Sequence, residues 1–61
     1  MKTAGNPSMT GEELRAIRLR LAVGQIAFAR LLGKHPITVS NYERGIWPIP
    51  ETVAKLARTL R

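Results

Sequence analysis

Apolar residues recur along this chain in four separate helical runs. Leu14, Ile17 and Leu21 fall at i, i+3 and i+7, forming one stripe with Arg15 and Arg20 directed away from it. Thr10 and Glu13 make a capping box just ahead of the stripe, which predicts a first helix over residues 11–21. Ala22 to Gly24 breaks the pattern. A short second helix is predicted over 25–32, with Phe28, Ala29 and Leu32 inward and Gly33 as its positive-φ stop. Pro36 suits the first turn of a third helix over 36–44, because its missing N–H has no intrahelical role there, and Gly45 marks the end. Two prolines keep Ile46-Trp47-Pro48-Ile49-Pro50 out of any helix. A fourth helix over 51–60 carries Val53, Leu56, Ala57 and Leu60 at i, i+3, i+4 and i+7. No strand pattern and no repeat is visible, so the fold class is all-α.

Sixty-one residues suffice for one small domain with a single core, and not for a substrate cleft with walls of its own. Without cysteine, packing alone must stabilise that core. Ten Lys and Arg against four Asp and Glu give a formal charge of +6, which favours a polyanionic partner. Residues 1–9 are polar and rich in turn formers and are expected to be a flexible arm ahead of a domain at 10–61. They also lack the apolar run of a signal peptide or spanning helix, so a cytoplasmic protein with no membrane partner is expected.

The spacing of small and apolar residues from Gln25 to Gly45 narrows this picture. Ala29 precedes Gly33 by four residues, and Val39 and Tyr42 follow Gly33 by six and nine. A methyl at 29 lets two short helices cross closely, Gly33 turns the chain sharply, and Val39 with Tyr42 buries one face of the third helix. That is the spacing of a helix-turn-helix whose second helix is free to enter DNA.

The chain resembles the phage and bacterial repressor/Cro-like helix-turn-helix regulators, of which the lambda repressor domain is the type, over nearly all of residues 10–60. The resemblance rests on Leu14 and Arg18, on Gln25-x-x-x-Ala29-x-x-Leu32-Gly33, on Val39-Ser40-x-Tyr42-Glu43-x-Gly45, and on Glu51 to Ala57 as the fourth helix. It implies a compact four-helix domain, here without a clear fifth helix. It also implies an ion pair between Arg18 and Glu43, and a phosphate contact by Gln25 at the start of helix two. Gly24 stands where the family places Thr or Ser as the cap of helix two, and His35-Pro36 replaces the usual start of the reading helix.

With Val39 and Tyr42 inward, Ile37, Thr38, Asn41 and Arg44 share the outer face of helix three, and Pro36 and Ser40 lie at its margins. Asn41 is the first candidate for base reading, since its amide can accept from and donate to adenine; Ile37 is suited to a thymine methyl. Lys34, His35, Thr38 and Arg44 are candidates for phosphate or groove-edge contacts. Ile46, Trp47 and Ile49 form an apolar loop with two readings, a lid on the core or a symmetric homodimer interface setting two operator half-sites.

No catalytic constellation, metal cluster or phosphate-cradling glycine loop is present, so neither an enzyme, a metal, a cofactor nor a small-molecule substrate is expected. The function expected is sequence-specific binding of double-stranded DNA by a transcriptional regulator, most simply a repressor. The alternative is a protein-interaction module on the same fold, such as an antitoxin or adaptor.

Overall fold

Four helices follow one another in the computed structural model, which describes residues 9–61: α1 (Gly11–Arg20), α2 (Gln25–Leu32), α3 (Pro36–Glu43) and α4 (Glu51–Leu60). Helix α1 begins at the capping box. Glu13 N–H donates to Thr10 Oγ1 at 3.1 Å, and Thr10 N–H donates back to Glu13 Oε1 at 2.8 Å. Helices α1 and α3 each end one residue before the predicted position, at Arg20 and Glu43, because Leu21 and Arg44 are already capping residues.

The first three helices stop by the same device. After α1, the N–H groups of Ala22 and Val23 bond back to Leu19 and Arg18; after α2, those of Gly33 and Lys34 bond to Arg30 and Ala29; after α3, those of Gly45 and Ile46 bond to Tyr42 and Asn41. This paired closure needs one left-handed residue. Gly33 (φ 69) and Gly45 (φ 78) supply it without steric cost, while at the end of α1 it falls on Ala22 (φ 61).

α3 packs chiefly on α2 and then on α1, and α4 closes against α1 and α2. The core takes Leu14 and Ile17 from α1, Phe28, Ala29 and Leu32 from α2, Val39 and Tyr42 from α3, and Val53, Ala54 and Ala57 from α4. On α4 the predicted stripe is rotated. Leu56 is exposed and Ala54 is fully buried, because the two alanines sit where the helix approaches its neighbours and leave the leucine outside.

Met9 lies where the sequence pattern did not put it, and Ile49 takes the core reading of the two left open for its loop. Met9, assigned to the arm, is 3% exposed and belongs to the core. It precedes the cap residue Thr10, and Leu14 is the fourth residue of α1, the two positions of a hydrophobic staple. The remainder of the expected arm, residues 1–8, lies outside the described residues. Ile49, a dimer-interface candidate, is 4% exposed and likewise part of the core, so the 46–50 loop is pinned by its own isoleucine. No helix among the described residues is long and apolar enough to cross a membrane.

Gly11 is a further position that periodicity could not reveal. A Cβ there would meet the Tyr42 carbonyl oxygen and lie 2.7 Å from that of Glu43, so the absence of a side chain lets the start of α1 rest on the end of α3. Gly11→Ala is expected to lower stability by about 1–3 kcal/mol despite alanine's better helix propensity, since backbone carbonyls cannot move aside. Ala22→Gly is expected to act oppositely, raising stability by about 0.5–1 kcal/mol. Denaturant unfolding of the two variants checks the opposed signs.

The capping box carries a pH signature. The Thr10 backbone and side-chain hydrogen bonds, aided by the charges of Arg58 and Arg61, hold the Glu13 carboxyl below its usual 4.5. A carboxylate with a lowered folded-state value contributes stability above its unfolded value and loses it as pH falls through the folded one. Wild type should therefore lose Tm between about pH 5 and about pH 3 more steeply than Glu13→Gln, in which the same reach-back bond no longer titrates. Parallel slopes in thermal melts would contradict this.

Candidate nucleic-acid interface

α2, the Gly33 turn and α3 form the unit that determines which side chains face outward. α3 is only eight residues long and buries Val39 and Tyr42, and its opposite face stays open. Ile37 is 63% exposed, Arg44 is exposed, and Pro36, Thr38, Ser40 and Asn41 are partly exposed. Lys34, in the turn before α3, is exposed as well. The candidate base-reading residues and every candidate phosphate contact except Gln25 are thus displayed on or beside one short helix.

A buried polar brace fixes that helix from behind. Arg18 Nε donates to Glu43 Oε2 at 2.7 Å and Nη2 to Oε1 at 3.2 Å, a two-pronged ion pair with side chains only 12% and 4% exposed. The remaining prong, Nη1, donates to the Val23 carbonyl at 3.1 Å, and Gln25 Nε2 donates to Glu43 Oε1 at 3.1 Å. One carboxylate therefore joins α1, the start of α2 and the last turn of α3, while its arginine also holds the α1–α2 turn. No buried side-chain nitrogen or oxygen among the described residues lacks a partner.

This geometry changes two of the expected phosphate contacts. The Gln25 amide nitrogen is turned inward to Glu43, because a carboxylate oxygen at the mouth of the brace is the strongest acceptor within its reach. What the start of α2 keeps for an anion is backbone N–H, since its cap residue Gly24 supplies no side-chain acceptor. His35 Nδ1 accepts from Ile37 N–H at 3.2 Å and so caps α3; only its Nε2 edge is left for a ligand. For Gln25 the missing signal was its spatial nearness to Glu43, eighteen residues away. For His35 it was its place immediately before Pro36, which marks a cap position.

The acidic residues leave this surface without negative charge. Glu12 and Glu13 lie in the first turn of α1 and Glu51 in that of α4, where the helix dipole favours them, and Glu43 is neutralised by Arg18. No Asp or Glu occurs between Leu21 and Tyr42, while Arg30 and Lys34 lie exposed within that span. α2 and the outer face of α3 therefore present only neutral and positive groups, the electrostatic condition for approaching a phosphate backbone.

The apolar loop divides. Ile46 and Trp47, at 47% for the tryptophan, remain exposed beside an open groove lined by Met9, Tyr42 and Ile49, and Ile49 itself is in the core. Exposed apolar side chains on a chain this small are candidates for contact with another molecule.

The brace can be tested by a double-mutant cycle. Arg18→Met or Glu43→Gln alone strands a buried charge and is expected to cost about 3 kcal/mol, whereas the double variant should cost less than the sum. A coupling energy of about 1–3 kcal/mol is expected from urea unfolding, and a value near zero would rule out the brace.

Comparison with known proteins agrees with this geometry. A search of the curated proteins finds no match. The family model for helix-turn-helix domains matches residues 14–61, which spans α2, α3, α4 and all but the first turn of α1. Leu14, the Arg18–Glu43 brace, the Gly33 turn and the whole outer face of α3 fall inside the match. The chain belongs to the Cro/C1-type helix-turn-helix family, a family of DNA-binding regulators.

Proposed function

We propose that this protein is a sequence-specific regulator of transcription that represses by occupying double-stranded DNA, with α3 as the helix that reads the major groove. The observation that carries this reading is the division of α3 into a buried face and an open one, the open one bearing Ile37, Thr38, Asn41 and Arg44. Asn41 can bond both N6 and N7 of one adenine, and Ile37 can press on a thymine methyl. Thr38, with Pro36 and Ser40 at the margins, completes the reading face. Lys34, Arg44 and the first N–H groups of α2 take phosphates and set the register without specifying sequence.

Two copies pairing through Ile46 and Trp47 would place two reading helices about 34–36 Å apart on a two-fold operator. Such a homodimer gives the exposed tryptophan a partner and leaves Ile49 to the core of each copy. The site of action is the cytoplasm.

Selection of bound sequences from a random duplex pool tests the function directly. An enriched motif with two half-sites is expected. Asn41→Ala should cost about 1–3 kcal/mol and relax one base pair of the motif, whereas Lys34→Ala should weaken all sequences alike and reduce the salt slope by about one. Affinity for the selected site should fall with a log–log salt slope of about −0.9 per phosphate contacted. No enrichment together with a flat salt response would reject DNA reading in favour of a protein partner.

A further inference from the structure

The start of α3 closes on a single residue. Pro36, its first residue, has no N–H to satisfy. The N–H of Ile37 donates to His35 Nδ1 at 3.2 Å, and those of Thr38 and Val39 reach the His35 carbonyl oxygen at 3.0 and 3.3 Å. The backbone donors of the whole first turn therefore end on His35, whose own backbone is extended (φ −76, ψ 147) as a cap requires. Ser, Thr, Asn and Asp are the ordinary residues for this position, each with an oxygen acceptor. An imidazole can replace them in one form only, with Nδ1 bare and the ring hydrogen on Nε2.

We propose that His35 is a positioning residue for DNA recognition, acting through its cap on α3 and not through charge; this rests on the DNA-reading function proposed above. The bond it accepts comes from the N–H of Ile37, the most exposed of the reading residues, and its carbonyl holds Thr38. Loss of the cap frees the Ile37 donor and loosens the first turn. The last turn, with Asn41, is secured separately by the Glu43 brace and the Gly45 stop. His35 thus governs one end of the reading face: discrimination at the base pairs met by Ile37 and Thr38 depends on it, and discrimination at the pair met by Asn41 does not. Its role differs in kind from that of Lys34, whose exposed ammonium offers only charge.

The test compares His35→Asn, His35→Ala and His35→Lys with wild type on the duplex recovered by pool selection, alongside nitrogen-15 spectra of the imidazole in the free protein and thermal melts of each variant. The ring should show an unprotonated Nδ1 and a protonated Nε2. Asparagine, a strong cap, should keep affinity within about twofold, while alanine and lysine should each weaken it roughly fivefold, with the lost discrimination confined to the first-turn base pairs. A folded lysine variant that binds as tightly as wild type would make His35 a phosphate cation and overturn the proposal. An alanine variant with unchanged binding, or a ring protonated on Nδ1 alone, would overturn it as well. A wild-type chain that selects no motif would reject DNA reading and this role with it, and the ring-nitrogen signature distinguishes that failure from failure of the cap.

Discussion

The Glu43 carboxylate is the point on which this small domain turns. It lies in the last turn of α3, is almost fully buried, and takes three hydrogen bonds, two from Arg18 on α1 and one from Gln25 at the start of α2. A core drawn from so short a chain has few apolar contacts with which to fix the angle between helices, because apolar packing is non-directional. A two-pronged ion pair is directional, and its cost if disassembled is large. The brace therefore adds geometric definition where hydrophobic burial alone leaves freedom.

That definition is what a reading helix needs. α3 must keep one face in the core and the other free, and eight residues provide barely two turns for both tasks. Val39 and Tyr42 anchor it from beneath, Glu43 locks its last turn, and His35 closes its first. Gly11 adds a close backbone contact from α1 against the same C-terminal end. The side chains left outside are displayed on an element held at both ends, and the carboxylates that would repel DNA are placed at helix starts or in the brace.

Much of this was legible in the residues. The capping box at Thr10 and Glu13, the stop at Gly33, the inward pair Val39 and Tyr42, and the charge excess each follow from a rule that concerns neighbours in sequence. Met9 was misplaced because a staple is a contact between two apolar residues five apart across a helix start, a signal that the surrounding polar arm obscured. Leu56 was misplaced because its spacing with Val53 and Leu60 fits two rotations of α4, and only the close approach of Ala54 and Ala57 to the other helices selects one. Ile49 and Trp47 look alike in a proline-bounded loop, and which of them is buried depends on the chain's path between Gly45 and Pro50.

The sequence by itself determined the number of helices, their starts and, to within a residue, their stops, the faces that α1, α2 and α3 bury and the sign of the surface, since helical periodicity and capping act within a few residues of chain. Only the tertiary structure decided that Gln25 turns to Glu43 rather than outward, that Gly11 is needed for contact and not for flexibility, and that Ile49 leaves the apolar loop for the core. Those outcomes depend on distances between residues far apart in the chain, and such distances exist only once the helices have packed.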